Sequence, residues 1–208
     1  MTMKLYVPEG FAHCSLEFSG AALPTAAAIT FGVDHSESSL TPQQVGASIS
    51  AAWTTNIKST ITPDVTLATV HVKFGPMDDG PFVDVAAGIT GTGTGANDAP
   101  VVALLVRKNT TIGGKRGHGR MFVPGLASTV ATINGSVSGS DLSNRNTAWN
   151  AFLTDLDNGN TPMVLLHNYG TYVNKKGEEV TVPPREPSPV TSLSVQNMVA
   201  TQRRRQRR

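Results

Sequence analysis

PQQVGASISAAWTTNIKSTITPDVTLATVHVKFG, residues 42–75, changes its period halfway along, and that change decides the fold class. In its first half Val45, Ile49, Ala52, Trp53, Ile57 and Ile61 recur at spacings of three and four. Such spacing gathers them on one face of a helix. Thr41 precedes Pro42, which predicts an N-cap followed by proline at the first helical position. Gly46 and the many Ser and Thr residues make this a poor helix by propensity, so packing has to hold it. In the second half, VTLATVHVKFG (65–75) reads as a strong strand. A helix delivered onto a strand by a short turn predicts a sheet with helices packed on it.

Outward from there the chain is mostly strand. Residues 5–7 are a short extended piece stopped by Pro8, and His13–Ser19 alternates with period two. Residues 26–33 read as a further strand, and DHSESSLTP (34–42) as a loop. PMDDGP (76–81) is turn chemistry, FVDVAAGITG (82–91) a strand, and TGTGTGANDAP (90–100) a glycine-rich loop. VVALLVRK (101–108) begins as a continuous apolar run, fitting a strand buried on both faces. MFVPGL (121–126) reads as a short strand stopped by Pro124, residues 142–156 as a second helix, and TPMVLLHN (161–168) as a strand. The expected class is α+β: a β-rich, mostly antiparallel sheet with two helices packed on it. One core domain is expected over 1–170, with an extended arm over 171–208. The arm follows from TVPPREPSPV (181–190), whose prolines favour polyproline II, and from VTSLSVQNMVA (190–200), a weak strand suited to another sheet's edge.

A slide of 96 residues sets Trp53 on Trp149, Ile57 on Leu153, Leu67 on Met163, Val70 on Leu166 and His71 on His167. Either an internal duplication or two independent helix-then-strand units produces that match.

Composition narrows the role. Charged residues are 15% of the 208, against roughly 25% in an average globular protein. The surface is therefore covered by Thr, Ser, Asn and Gly, which does little to repel copies of the same chain. The net charge of +2 is unevenly spread: without the arginines of QRRRQRR (202–208), twelve basic residues stand against fifteen acidic ones. The tail, Arg203, Arg204, Arg205, Arg207 and Arg208, is suited to phosphate or to an acidic protein surface. Arg107, Lys115, Arg116 and Arg120, with Lys108 and His118, lie on or beside a glycine-rich hairpin tip and form a second basic contact.

No catalytic residue is assigned. IGGKRGHGR fails as a P-loop, because Lys115 is followed by Arg116 and not by Ser or Thr. No G-x-S-x-G turn places a serine nucleophile, so a hydrolase rests only on scattered Ser, His and Asp. Cys14, the one cysteine, allows no intrachain disulfide or multi-cysteine zinc site and reads as a buried core residue. Asp34, His35 and Glu37 lack zinc-helix spacing and read as loop polarity; Asp78 and Asp79 read as turn residues. His71 and His167 interrupt strands and are expected to be hydrogen-bonded, and Trp53 and Trp149 to be core anchors. No cofactor, metal, membrane or small-molecule partner is expected, nor a signal peptide, since MTMKLYVPEG has no apolar segment.

VALLVRKNT (102–110), GGKRGHGRMFVPG (113–125) and VATQRRRQRR (199–208) together resemble small uncharacterised virion proteins of tailed bacteriophages. The resemblance covers about a sixth of the chain. It implies a capsid, neck or tail component, made in a host cytoplasm and located in the virion. Its partners would be copies of itself and other virion proteins, assembled into a ring or shell through the core and the C-terminal arm. The alternative is a nucleic-acid-binding protein, with packaged nucleic acid held by the tail and the 107–120 loop.

Overall fold

The computed structural model describes residues 4–20, 28–61, 63, 65–76, 81–93, 104–112, 115–121 and 139–195. Helix α1 (Pro42–Asn56) begins where the sequence places it. Gln44 N donates to Thr41 Oγ1 at 3.3 Å and Thr41 N donates to Gln44 Oε1 at 2.8 Å, so two orphan amides of the first turn are satisfied reciprocally. Gly46 serves a purpose that propensity hides. A Cβ there would lie 2.5 Å from Val85 Cγ2, so the glycine lets α1 lie directly on the sheet. Helix α2 (Gly139–Asn158) starts earlier and ends later than its expected span. It stops in a Schellman turn: Thr161 N donates to Leu156 O and Asn160 N to Asp157 O, with Asn160 at φ 56°.

The strands are β1 (Lys4–Tyr6), β2 (Phe11–Ser19), β3 (Ala28–Asp34), β4 (Thr66–Phe74), β5 (Val83–Thr90), β6 (Leu104–Ile112), β7 (Lys115–Met121), β8 (Met163–Leu165), β9 (His167–Val173), β10 (Glu179–Val182) and β11 (Ser188–Val195). Eight of them form one sheet in the order β5-β4-β2-β3-β8-β11-β6-β7; β1-β9-β10 form a smaller one. Among the described residues every strand pairing is antiparallel. The fold is thus α+β and β-rich, as the change of period at residue 60 or so predicts.

Both helices lie on one face of the main sheet, α1 over β4 and β5, α2 over β11 and the edge of β8, and they pack against each other. The core fills the space between. β2 contributes Ala12, Cys14, Leu16 and Phe18, β4 contributes Leu67, Val70 and Val72, and the helices contribute Val45, Ile49, Trp53, Trp149, Phe152 and Leu156. Trp53 and Trp149 are core anchors, as expected, meeting edge to face at 5.7 Å between ring centroids. Phe18 and Phe152 complete the aromatic cluster, 5.3 and 6.2 Å from Trp53. Cys14 is wholly buried, and burial pushes its thiol pKa far above the ordinary value, so it is an inert core residue.

Three expectations are corrected. TPMVLLHN is not one strand: Leu166 separates β8, in the main sheet, from β9, in the small one. Residues 171–195 are not a free arm, because β9 and β10 pair with each other and β11 lies inside the main sheet between β8 and β6. The proline-rich stretch contributes only the connection 183–187 and the first residues of β11, where Pro189 sits opposite Val164. Proline is tolerated there because it stands at the start of the strand. Residues 196–208, with the arginine tail, lie outside the described residues. Finally, the 96-residue slide matches helix to helix but misaligns the strands, since it sets the unbroken β4 across the break between β8 and β9. Among the described residues no helix is long and apolar enough to cross a membrane.

Candidate functional site

Successive residues of a strand face opposite sides of its sheet. The face away from the helices therefore receives His13, Ser15 and Glu17 of β2, His71 and Lys73 of β4, and Asp84 of β5. Register brings them together: His71 lies opposite both Ser15 and Asp84, and Lys73 opposite His13. His71 is held at both ring nitrogens, Nδ1 2.7 Å from Asp84 Oδ1 and Nε2 2.9 Å from Glu17 Oε2. A carboxylate has no proton to give, so both contacts are hydrogen bonds together only when the ring is protonated and donates from each nitrogen. Burial pulls the His71 pKa down, but the hydrogen bonds and charges of Asp84 and Glu17 outweigh it and leave the pKa above its ordinary value.

Phe82 lies over this cluster. Its ring centroid is 5.8 Å from that of His13, 6.4 Å from that of His71 and 5.8 Å from Lys73 Nζ. Lys73 is only 8% exposed, and its ammonium rests against the negative face of that ring. Burial first, and the charge of Lys73 second, lower the His13 pKa below its ordinary value. Two histidines on neighbouring strands, both against the Phe82 ring, thus have pKa values moved in opposite directions. Chemically the cluster ties β2, β4 and β5 together; an imidazolium pinned between two carboxylates has no lone pair with which to act as a base.

The other expected sites are placed as follows. His35 stacks on Phe74 at 3.8 Å, and Asp34 Oδ1 accepts from Ser36 N and Ser36 Oγ at 2.9 and 2.6 Å. DHSESS is therefore a loop closed by its own side chains. Among the described residues no group of His, Cys, Asp and Glu is arranged to hold a metal. Asp78 and Asp79 lie outside the described residues. His167 Nε2 meets Ser188 Oγ at 2.9 Å, and Ser188 is buried within β11. That pair bridges the small sheet to the main one; a serine in mid-sheet lacks the exposed turn that presents a nucleophile.

The basic segment forms the β6–β7 hairpin at one end of the main sheet. Arg107 lies opposite His118, Leu105 opposite Arg120, Thr111 opposite Arg116 and Ile112 opposite Lys115. All four expected basic contacts, Arg107, Lys115, Arg116 and Arg120, thus belong to one two-stranded ribbon. Arg203, Arg204, Arg205, Arg207 and Arg208 are outside the described residues. The Glu17–His71–Asp84 cluster escapes sequence reading because its members come from three strands; their shared alternation is visible, but their register is not. Compared with family models, with curated proteins and with solved structures, the chain matches none.

Proposed function

We propose that this chain is a structural protein of a tailed-phage particle, present in many copies that assemble side by side into a ring or shell. The observation that supports it most is the form of the main sheet. It ends in β5 on one side and β7 on the other, and among the described residues each pairs with a single neighbour. Unpaired strand edges are templates for another chain, and the weakly charged surface does not oppose close packing of copies. The resemblance of residues 100–125 and of the last ten to virion proteins points the same way. Sedimentation velocity and electron microscopy of the purified chain test it. A multi-copy species that grows with concentration is expected; a monodisperse monomer, alone and with other particle proteins, overturns it.

One observation favours a second reading. The β6–β7 ribbon collects Arg107, Lys115, Arg116 and Arg120, four cations that can pair with phosphate. In that reading the chain binds packaged nucleic acid, affinity falls with a salt slope of about −0.9 per phosphate contacted on duplex DNA, and deletion of 203–208 weakens it. A salt-insensitive assembly with no retention on DNA removes this second reading and leaves the first.

A further inference from the structure

The main sheet contains one four-strand unit twice. Across it, β5-β4-β2-β3 is followed by β8-β11-β6-β7, and because all pairings are antiparallel, strand directions alternate from end to end. β8 therefore has in the second unit the place and direction that β5 has in the first, and β7 those of β3. The helices obey the same correspondence: α1 lies over β5 and β4, α2 over β8 and β11. Only the path differs. After α1 the chain enters the inner strand β4 and then β5, whereas after α2 it enters the outer strand β8 and returns to the inner β11 through the small sheet.

The two units are joined by antiparallel pairing of β3 with β8, with Gly32 opposite Val164 and Val33 opposite Met163. The strands left at the ends of the sheet are the counterparts of these two: β7 corresponds to β3 and β5 to β8. We infer that copies of this chain join head to tail, β7 of one copy pairing antiparallel with β5 of the next. The joint within the chain is thereby repeated between chains, and the helices of successive copies stay on one face. This inference rests on the assembly reading above and names its contact.

Charge selects this joint over the two-fold alternatives. β7 carries Lys115, Arg116 and Arg120 and no acid; β5 carries Asp84 and no cation. Pairing β7 with its own copy brings only cations to the joint, and pairing β5 with its own copy brings only acids, so neither two-fold joint gains an opposite charge. The mixed joint sets opposite signs together. β5 also limits where a partner fits. Its register with β4 jumps between Thr69↔Ala86 and Leu67↔Ile89, so Ala87 and Gly88 oppose Ala68 alone, and Gly88 takes φ +61°. That bulge bends the far half of the edge away and leaves the part around Val83–Ala86 for pairing. A short contact suffices within the chain, where the β3–β8 register covers two pairs. A head-to-tail contact of this kind closes into a ring if its rotation allows and otherwise runs on as a filament.

Cysteine pairs test the joint in the full-length chain, because Cys14 is wholly buried and does not compete. Ala86→Cys marks β5 and His118→Cys marks β7, with a short bis-maleimide as the bridge. The mixture of the two variants is expected to give a cross-linked dimer, each variant alone none, and a chain bearing both a ladder. A charge test independent of cysteine is Arg116→Glu with Arg120→Glu, which is expected to raise the protein concentration needed for assembly by about tenfold or more. Cross-linking by either single variant alone overturns the head-to-tail joint in favour of a two-fold one. An assembling protein whose mixture gives no dimer, or whose charge-reversed form assembles unchanged, overturns the joint while the assembly reading stands. A monomer at every concentration overturns both.

Discussion

Asn150 on α2 grips the backbone of Leu193 on β11 from both sides. Its Nδ2 donates to Leu193 O at 2.7 Å and its Oδ1 accepts from Leu193 N at 3.1 Å. β8 pairs with β11 only at Ser188 and Pro189, so farther along that strand a side-chain amide does what a neighbouring strand would have done. Asn150→Ala leaves both groups of Leu193 without these partners and is expected to cost about 1–3 kcal/mol in chemical denaturation. Asn150→Asp keeps the acceptor but turns an oxygen toward Leu193 O, so it is expected to fare no better than alanine at neutral pH. A variant as stable as the parent would show that the amide is not what holds β11.

Gly46→Ala should raise helix propensity by roughly 1 kcal/mol in an exposed helix, yet here the expected sign is opposite. The added methyl meets Val85 Cγ2 at 2.5 Å and Val85 Cβ at 2.9 Å. Overpacking of that kind costs about 1–3 kcal/mol. Val85→Ala combined with Gly46→Ala relieves the clash, so the double variant is expected to be more stable than the sum of the two single changes; thermal melts of all four proteins measure the coupling.

His71 makes stability depend on pH in a defined direction. Its folded pKa is raised above the unfolded value by Asp84 and Glu17 against the opposing effect of burial. Its contribution is therefore full below the unfolded pKa and is lost as pH rises through the folded one. His13 and His35, whose folded pKa values are lowered mainly by burial, act oppositely and weaken the fold as pH falls through their unfolded values. The difference in Tm between parent and His71→Gln isolates His71 and is expected to shrink as pH rises across that window. A difference that is flat with pH would show that the bridge to Asp84 and Glu17 is not an ionic one.

Asn160 sits at the left-handed position of the α2 Schellman turn, φ 56°. Asn160→Gly removes the steric cost of a side chain there and is expected to be neutral or stabilising, whereas Asn160→Ala is expected to lose about 1 kcal/mol. Urea denaturation of the pair checks the order; alanine equal to glycine would contradict the turn geometry.

Local chemistry was legible in the residues and sheet order was not. Thr41 with Pro42, the three-and-four spacing from Val45 to Ile57 and the alternation in β2 each depend on neighbours a few positions away, and the structure has them as read. The place of β11 depends on which strand edge is free when residues 188–195 return to the sheet, which no local pattern encodes. Residues 190–200 read as a weak strand for another sheet's edge, whereas β11 enters this chain's own sheet and its Leu193 is almost wholly buried. The same limit applies to the polar cluster: His71 lies directly opposite Asp84 but reaches Glu17 diagonally, two positions beyond its partner Ser15.

The return of the chain to β11 sets a timetable for synthesis. Once Thr90 has left the ribosome, β2, β3, β4, β5 and α1 can close their half of the sheet. The second half stays open much longer: β6 and β7 emerge next, then α2, then β8, and the gap between β8 and β6 is filled only when residues up to Val195 have been made. Until then the edge of β8 has no partner beyond β3, and the β6–β7 hairpin has no strand joining it to the rest of the sheet. In a crowded polysome those edges are open to the β11 of a neighbouring nascent chain, so the last strand to arrive is also the one by which two unfinished chains would be exchanged.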